Sequence, residues 1–283
     1  MGVARQVPAD VDVTRPTPAR LYDYYLGGTS NFEADRVAAE RLRLVMPELS
    51  DAAWANRGFH QRAARWIAAR GIRQFIDIGC GLPTAGNTHQ VLLEVVPDAR
   101  VVYADIDPMV AAHASGLLTD AGSTRLITAD LRDPCALLGD PGLRAMIDFV
   151  EPVGLLMTAV LHFVSDQRDP GGLVARYMGA LAPGSYLALS HGTDDHLPPG
   201  MMRAARELYR KATEQFYPRS RACQERFFAG LELAEPYPGT GPVLCHVGLW
   251  GADDPATADS DGSRIMYCGV ARRPRRPLPQ RRS

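Results

Sequence analysis

Hydrophobic and polar positions follow one another along this chain in two textures. From about residue 19 to residue 70 apolar side chains recur at helical intervals, broken at Gly27-Gly28 and at Pro47. The stretch AAWANRGFHQRAARWIAARG (52–71) holds that spacing and ends on glycine, which predicts an amphipathic helix and its stop. Short apolar runs then take over: RQFIDIGCG (73–81), RVVYADID (100–107), TRLITAD (124–130), PVGLLMTAV (152–160) and GSYLALSHG (184–192). Runs of this length closed by turn residues read as buried strands. Helix-length connections at about 85–97, 108–121, 134–149 and 169–182 separate them, and strands alternating with helices predict a parallel sheet covered on both faces. Residues 198–233 read as a helical insertion of two arginine-rich helices. PVLCHVGLWG (242–251) and RIMYCGVAR (264–272) have only a polar loop between them and predict a terminal antiparallel hairpin. The expected fold is α/β: a Rossmann-like, seven-stranded, mostly parallel sheet with that hairpin last and an N-terminal helical extension.

Residues 1–18 are polar and proline-bearing, a candidate flexible arm, and one domain is expected over 19–272. Within it, 19–71 form a helical lid or extension and 72–272 the core. The tail 273–283 is too rich in proline and arginine to fold and is expected to be a disordered basic end. With 46% hydrophobic and 22% charged residues the chain can bury a sizeable core. Its formal net charge of -1 supplies no global field toward nucleic acid or anionic lipid, so neither a nucleic-acid nor a membrane partner is expected. Five widely spaced cysteines without a CxxC form neither a disulfide framework nor a zinc site and favour a reducing, cytoplasmic setting. The N-terminal segment lacks the apolar core of a signal peptide, and no apolar run reaches membrane-spanning length.

The sharpest chemical signal is Asp77-Ile78-Gly79-Cys80-Gly81. A strand delivers an acid and two glycines into the loop before a helix, at the end of the sheet where ligands of open α/β folds bind. Glycine permits the tight turn and lets a ligand lie against bare backbone. A nicotinamide dinucleotide fingerprint, GxGxxG, would require its third glycine at Thr84, so the pattern departs from that of an NAD-dependent oxidoreductase. The acid also suits a ligand with an ammonium and a sulfonium better than one with a pyrophosphate, which favours S-adenosylmethionine. Asp105, followed by Ile106, ends the second strand where a carboxylate can accept from both ribose hydroxyls of an adenosine. Asp107 precedes Pro108 and reads as a helix N-cap, the weaker ribose candidate. Asp130, with the backbone of Leu131, ends the third strand where the adenine amino group would fall.

Several segments together resemble the actinobacterial S-adenosyl methyltransferase family, long catalogued as a domain of unknown function. They are RPTPARLYDYYLGGTSNFEADR (15–36), DIGCGLPTAGNTHQV (77–91), VVYADIDPMVAAHA (101–114), TADLRDP (128–134), VGLLMTAVLHFVSD (153–166) and YLALSHGTDD (186–195). The resemblance spans about residues 15–272 and implies a class I methyltransferase fold with bound S-adenosylmethionine. It also places the N-terminal segment at the cofactor. There Tyr22, Tyr25 and Phe32 offer aromatic faces to a sulfonium, Gly28 a hinge, and Asp23 and Asn31 polar contacts. Ala159, at the end of the fourth strand, joins the expected cofactor set. Where the general class I pattern has a third glycine this chain has Pro83, and Thr84, Asn87 and Thr88 either cap the next helix or touch the cofactor's methionine part.

Methyl transfer from a sulfonium needs orientation first and a general base only for some acceptors. His162 and His191, just after the fourth and fifth strands, are the candidate bases, with Asp194 and Asp195 placed to orient His191. No sequence pattern calls for a metal. The expected activity is methyl transfer to a small-molecule acceptor; the alternative is a non-catalytic sensor of S-adenosylmethionine or its product.

Overall fold

The five apolar runs become five parallel strands in the computed structural model, which describes residues 11–84, 86–114, 122–195, 197–210 and 212–275. Three helices come first, α1 (Pro18–Tyr25), α2 (Glu33–Arg43) and α3 (Leu49–Ala68). The doubly wound part follows as β1 (Gln74–Ile78), α4 (Thr88–Leu93), β2 (Arg100–Asp105), α5 (Pro108–Ala114), β3 (Thr124–Thr128), α6 (Pro134–Gly139), α7 (Pro141–Met146), β4 (Gly154–Thr158), α8 (Pro170–Ala180) and β5 (Tyr186–Gly192). The remainder comprises α9 (Pro199–Tyr209), α10 (Arg221–Glu225), β6 (Glu232–Leu233), β7 (Cys245–His246), α11 (Pro255–Ala258) and β8 (Met266–Arg272). The single helix expected over 134–149 is two, because Asp140 caps a new start with Pro141 at its first position, and proline has no N–H to continue the helix before it.

Strand order is β3-β2-β1-β4-β5-β8-β6, with β7 also paired to β8. β1 to β5 pair in parallel, and β8 runs antiparallel against β5 over seven residue pairs, Tyr186↔Arg272 to Gly192↔Met266. The sheet therefore has eight strands, not the seven expected. The run 242–251 keeps only two residues in the ladder, and Glu232–Leu233 takes the neighbouring stretch of β8. The cause is Arg62 on α3. Its guanidinium donates to the carbonyls of Trp250, Val247 and Gly248 at 2.7, 2.9 and 3.1 Å, so these acceptors are satisfied in a turn rather than a ladder.

Both faces of the sheet are covered. One buries Ile76, Val102, Leu155 and Leu187 under α6, α7 and α8. On the other, Phe59, Ala63, Ala64 and Ile67 of α3 pack on Phe75, Leu156 and Ala188. The N-terminal helices are locked by a buried ion pair, Arg20 Nε to Asp35 at 3.0 Å, with side chains 1% and 0% exposed.

Residues 11–17 differ from the free arm expected for 1–18. Thr17 Oγ1 caps α1 and donates to Asp107 at 2.7 Å, Thr213 N donates to Pro16 O at 3.0 Å, and Arg15 Nη2 to Ala212 O at 3.0 Å. The segment is a strap fastened at both edges; residues 1–10 lie outside the described residues. At the other terminus Arg273 donates to the Met178 and Gly179 carbonyls at the end of α8, while residues 276–283 of the expected tail lie outside the described residues. Among the described residues no helix is long and apolar enough to cross a membrane.

Candidate active site

Between β1 and β4 the strand order reverses direction, and the loops leaving the two strands part to opposite faces. A cavity of about 430 Å³ opens there, floored by the carboxyl ends of β1 to β4 and roofed by the N-terminal helices, α9 and the segment after it. That volume is within the usual range for small-molecule sites, roughly 300–1,000 Å³.

The β1 loop uses its two glycines differently. Gly79 (φ +71°) passes so close to Val160 that a Cβ there would lie 2.3 Å from its Cγ2. Gly81 (φ +66°) has nothing of the protein within 4 Å of such a Cβ, so it borders open cavity. Gly79→Ala is expected to lose about 2–4 kcal/mol from overpacking and the left-handed backbone together. A urea titration will show a lower midpoint at unchanged slope; an unmoved midpoint would mean that Val160 yields freely.

Asp77 is buried at the base of this loop. Thr88 Oγ1 donates to its Oδ2 at 2.6 Å, while its Oδ1 has no hydrogen-bond partner. Burial pushes its carboxyl up to about 6, against a lowering hydrogen bond from Thr88. Behind it, Thr88 and Thr158 hold the two nitrogens of buried His60 at 2.8 and 2.9 Å, and desolvation keeps that ring neutral, with its pKa down at about 3. Asn87 receives Thr84 N at 3.1 Å and caps α4, so the capping alternative describes this loop.

At the end of β2, Asp105 accepts from Gly81 N (2.9 Å) and Asp107 N (3.0 Å), and desolvation raises its pKa. Asp107 caps α5 through Met109 N at 2.9 Å, as its sequence context predicts, and also holds the strap through Thr17. After β3, Asp130 grips Arg132 Nε with both oxygens (2.8 and 2.9 Å), and Arg132 reaches Glu214 at 3.1 Å across the cavity rim. Ile106 and Leu131 line the same end. Ala159, after β4, holds a left-handed backbone (φ 54°) and donates to Ser190 Oγ at 3.0 Å, a strained position bordering the cavity.

Not every expected residue reaches this cavity. Tyr22, Tyr25, Asp77, Gly79, Gly81, Asp105, Ile106, Asp130, Leu131 and Ala159 line it; Gly28, Asn31 and Phe32 do not. Those three support the N-terminal helices instead. Asp23 accepts from Ser30 N and Asn31 Nδ2, both at 2.9 Å, and a Cβ on Gly28 would strike the Asp23 carboxylate. Phe32 packs with Leu82, Met109 and Val110 under the Arg20 guanidinium.

The histidines are also corrected. His191 is fully buried outside the cavity lining, its Nδ1 bonded to Gly192 O at 2.7 Å and its Nε2 receiving Arg219 Nη1 at 2.9 Å. With both nitrogens committed, and burial and the neighbouring His162 holding its pKa far below the ordinary value, it cannot act as a base. Asp194 and Asp195 do not orient it: Asp195 accepts Arg221 N, and Asp194 pairs with Arg206. His162 does line the cavity, but its Nδ1 accepts Gly192 N at 3.2 Å, which leaves Nε2 carrying the proton. Burial and Arg219 hold its pKa down to about 3, so it stands as a neutral N–H donor.

The sequence reading passed over the α3 contribution. Asn56 and Arg57 face the cavity beside His60. Asn56 donates to Tyr22 Oη at 2.9 Å and accepts Ser190 Oγ, while Arg57 Nη2 holds Gly86 O at 3.1 Å and leaves its buried Nε without a partner. Residues of an amphipathic helix that face a cavity have the same spacing as those that face a core, so periodicity alone could not single them out.

The sequence matches the model of the S-adenosyl methyltransferase family over residues 4–274. Among solved structures it is similar to a candidate methyltransferase from Thermobifida fusca YX, with 40% identity, 95% of this chain and 98% of that one covered, and a TM-score of 0.86. A DUF574-family protein from Streptomyces avermitilis MA-4680 is similar at 40% identity, with 93% of this chain and 99% of that one covered and a TM-score of 0.85. More distantly, the Haloferax volcanii complex of the Trm112 methyltransferase activator with its candidate methyltransferase shares the fold, at 18% identity, 80% and 96% coverage and a TM-score of 0.51. No curated protein matches the sequence.

Proposed function

Since this chain belongs to the S-adenosyl methyltransferase family and is an S-adenosylmethionine-dependent methyltransferase, we propose that it methylates a small-molecule acceptor held in the cavity above β4. The observation that carries the assignment of parts is a pair of buried atoms without partners, Asp77 Oδ1 and Arg57 Nε, in one cavity. An unmade hydrogen bond on a buried polar group is costly, so both atoms call for a ligand. An amino acid head, with its ammonium and carboxylate, matches their opposite charges.

The other residues follow in order along the strand ends. Gly79 and Gly81 present bare backbone, Asp105 receives ribose hydroxyls, and Ile106 with Asp130 and Leu131 frames the adenine. Tyr22, fixed by Ala53 O and Asn56, forms the roof. S-adenosylmethionine supplies a methyl group activated on sulfonium, whose C–S electron pair remains on sulfur as the acceptor's lone pair takes the methyl. The protein's share is alignment and exclusion of water, and alignment alone is worth up to about 7–11 kcal/mol. Among the described residues no histidine is poised to take a proton, so a proton on the acceptor atom, where there is one, leaves to water. A cavity of this size, bounded by the strap fastened to the segment after α9, suits a small acceptor better than a polymer.

Asp77 provides the test of this assignment. Its carboxyl is raised from 3.8 to about 6 without ligand, and the ammonium contact requires the ionised form. Affinity for S-adenosylmethionine is therefore expected to fall as pH drops below about 6, by up to about tenfold per unit. Calorimetric titration at several pH values will show this slope in the parent and a flat, weaker response in Asp77→Asn. Stability has the opposite sign. A folded pKa above the unfolded one favours the fold at low pH, and that contribution is lost as pH rises through 6. Asp77→Asn should accordingly stabilise the cofactor-free protein more at pH 8 than at pH 5 in chemical denaturation. Equal slopes in both proteins would remove Asp77 from the cofactor site.

A further inference from the structure

The cavity changes character away from the strand ends, and resting on the methyltransferase reading above, we propose that its acceptor end takes an uncharged, planar aromatic molecule carrying a hydroxyl group. One wall is built from rings. Tyr209 at the end of α9 stacks on Phe216 with centroids 5.3 Å apart and planes at 28°. Phe163, after β4, stands 6.1 Å from Tyr209 and 6.4 Å from Phe216, and His162 meets the Phe216 edge at 5.1 Å. Ring faces and edges of this kind receive a flat ring in stacked or T-shaped contact, which an aliphatic molecule of equal size cannot exploit.

Charge points the same way. The cavity's carboxylates are placed elsewhere: Asp77, Asp105 and Asp107 at the ends of β1 and β2, Asp12 in the strap bound by Thr14, and Asp130 and Glu214 bound by Arg132. Among its cations, Arg20 is paired with Asp35, and Arg57 lies beside the Asp77 loop at Gly86. Among the described residues the only histidine beside the rings is His162, which is neutral. A charged acceptor seated there would lose its water without gaining a counter-ion from the described residues.

One polar atom of this end is buried and left unpartnered. Tyr25 is 7% exposed, lines the cavity, and its hydroxyl has no hydrogen-bond partner. Its neighbours are Leu21, Leu26, Ala39 and Ala53, with Tyr209 packed on the same cluster, so it belongs with the ring wall rather than with the Gly79–Gly81 loop. Its pKa is raised by burial, which keeps the hydroxyl protonated and able to donate. A buried, unpartnered donor beside the rings recognises a polar atom on an otherwise apolar ligand.

Four probes separate the possibilities in calorimetric titrations of protein saturated with S-adenosylhomocysteine: 2-naphthol, naphthalene, 2-naphthoate and 2-decalol. The expected order places 2-naphthol tightest, with 2-naphthoate and 2-decalol weaker by roughly tenfold or more. Tyr25→Phe should bring 2-naphthol down to the affinity of naphthalene, a loss of roughly 3–10-fold, and leave naphthalene unmoved. Phe216→Leu should weaken both aromatic probes alike. S-adenosylhomocysteine affinity, measured on the same samples, separates the two levels of the argument. A parent protein that fails to bind it loses the methyltransferase reading itself. Normal binding of it, with 2-naphthoate or 2-decalol equal to 2-naphthol, overturns the acceptor class alone. So does a Tyr25→Phe protein that binds 2-naphthol as tightly as the parent, or one whose S-adenosylhomocysteine affinity falls as far as its naphthol affinity.

Discussion

Asp105→Ala is expected to weaken S-adenosylmethionine binding by about a hundredfold or more. Two ribose hydroxyls donating to an ionised carboxylate contribute roughly 1.5–3 kcal/mol each, and the alanine forfeits both. The side chain also fixes the floor of the cavity, because it holds Gly81 N and Asp107 N at 2.9 and 3.0 Å. Its loss therefore frees the Gly79–Gly81 loop at the cavity floor. Asp107→Ala is the informative companion. It removes the α5 cap and the Thr17 contact, which costs about 1 kcal/mol of stability, but no ribose contact. Calorimetry on both variants should show a large loss for Asp105 and less than about a tenfold loss for Asp107. Equal losses would mean that the two acids act only through the loop, and the ribose assignment would have to be given up.

The largest effect on stability is expected at Asp35. Its carboxylate receives Arg20 Nε, Thr17 N at 3.2 Å and Phe32 N at 2.8 Å, and it is entirely buried. Asp35→Ala leaves a guanidinium enclosed without its counter-ion, a change that costs about 3–5 kcal/mol. For a chain of this size that corresponds to a fall in Tm on the order of 10 °C. The cost lies in the unpaired charge rather than in the lost attraction, so the double variant Arg20→Met with Asp35→Leu should recover much of the deficit. Thermal denaturation of the three proteins decides the matter. A double variant as unstable as the single one would show that the backbone bonds to Thr17 and Phe32 carry the effect instead.

The parallel sheet was legible because a strand buried on both faces must be apolar throughout, and five such runs stand out against polar connections. The Asp77–Gly81 loop, Asp105 and Asp130 were legible because strand ends in this architecture converge on one place. Misreadings arose where one composition serves two ends. Gly28, Asn31 and Phe32 look like a cofactor lid, yet they fold back on Asp23 and Arg20 beneath it. His191 follows a strand as an active-site base would, but Arg219, 28 residues further along, occupies it, and nothing local announces that pairing. Arg57 and His60 were passed over for the converse reason, because their polarity is ordinary for a helix that seems to face solvent. The collapse of the 242–251 run depends on Arg62, some 185 residues away, which no window of sequence spans.

One consequence of the strand order concerns biosynthesis. β8 is the last of the described strands to be made, yet it lies inside the sheet, between β5 and the short β6 and β7. Until residue 272 has emerged from the ribosome, β5 presents an unpaired edge seven residues long, Tyr186 to Gly192. Such an edge is a template for strand addition by other chains, so the nascent protein stays open to aggregation until β8 is in place. Pairing order then imposes a hierarchy on assembly. The parallel strands β1 to β5 can pair as they are made, but the sheet is completed only when β8 docks against β5.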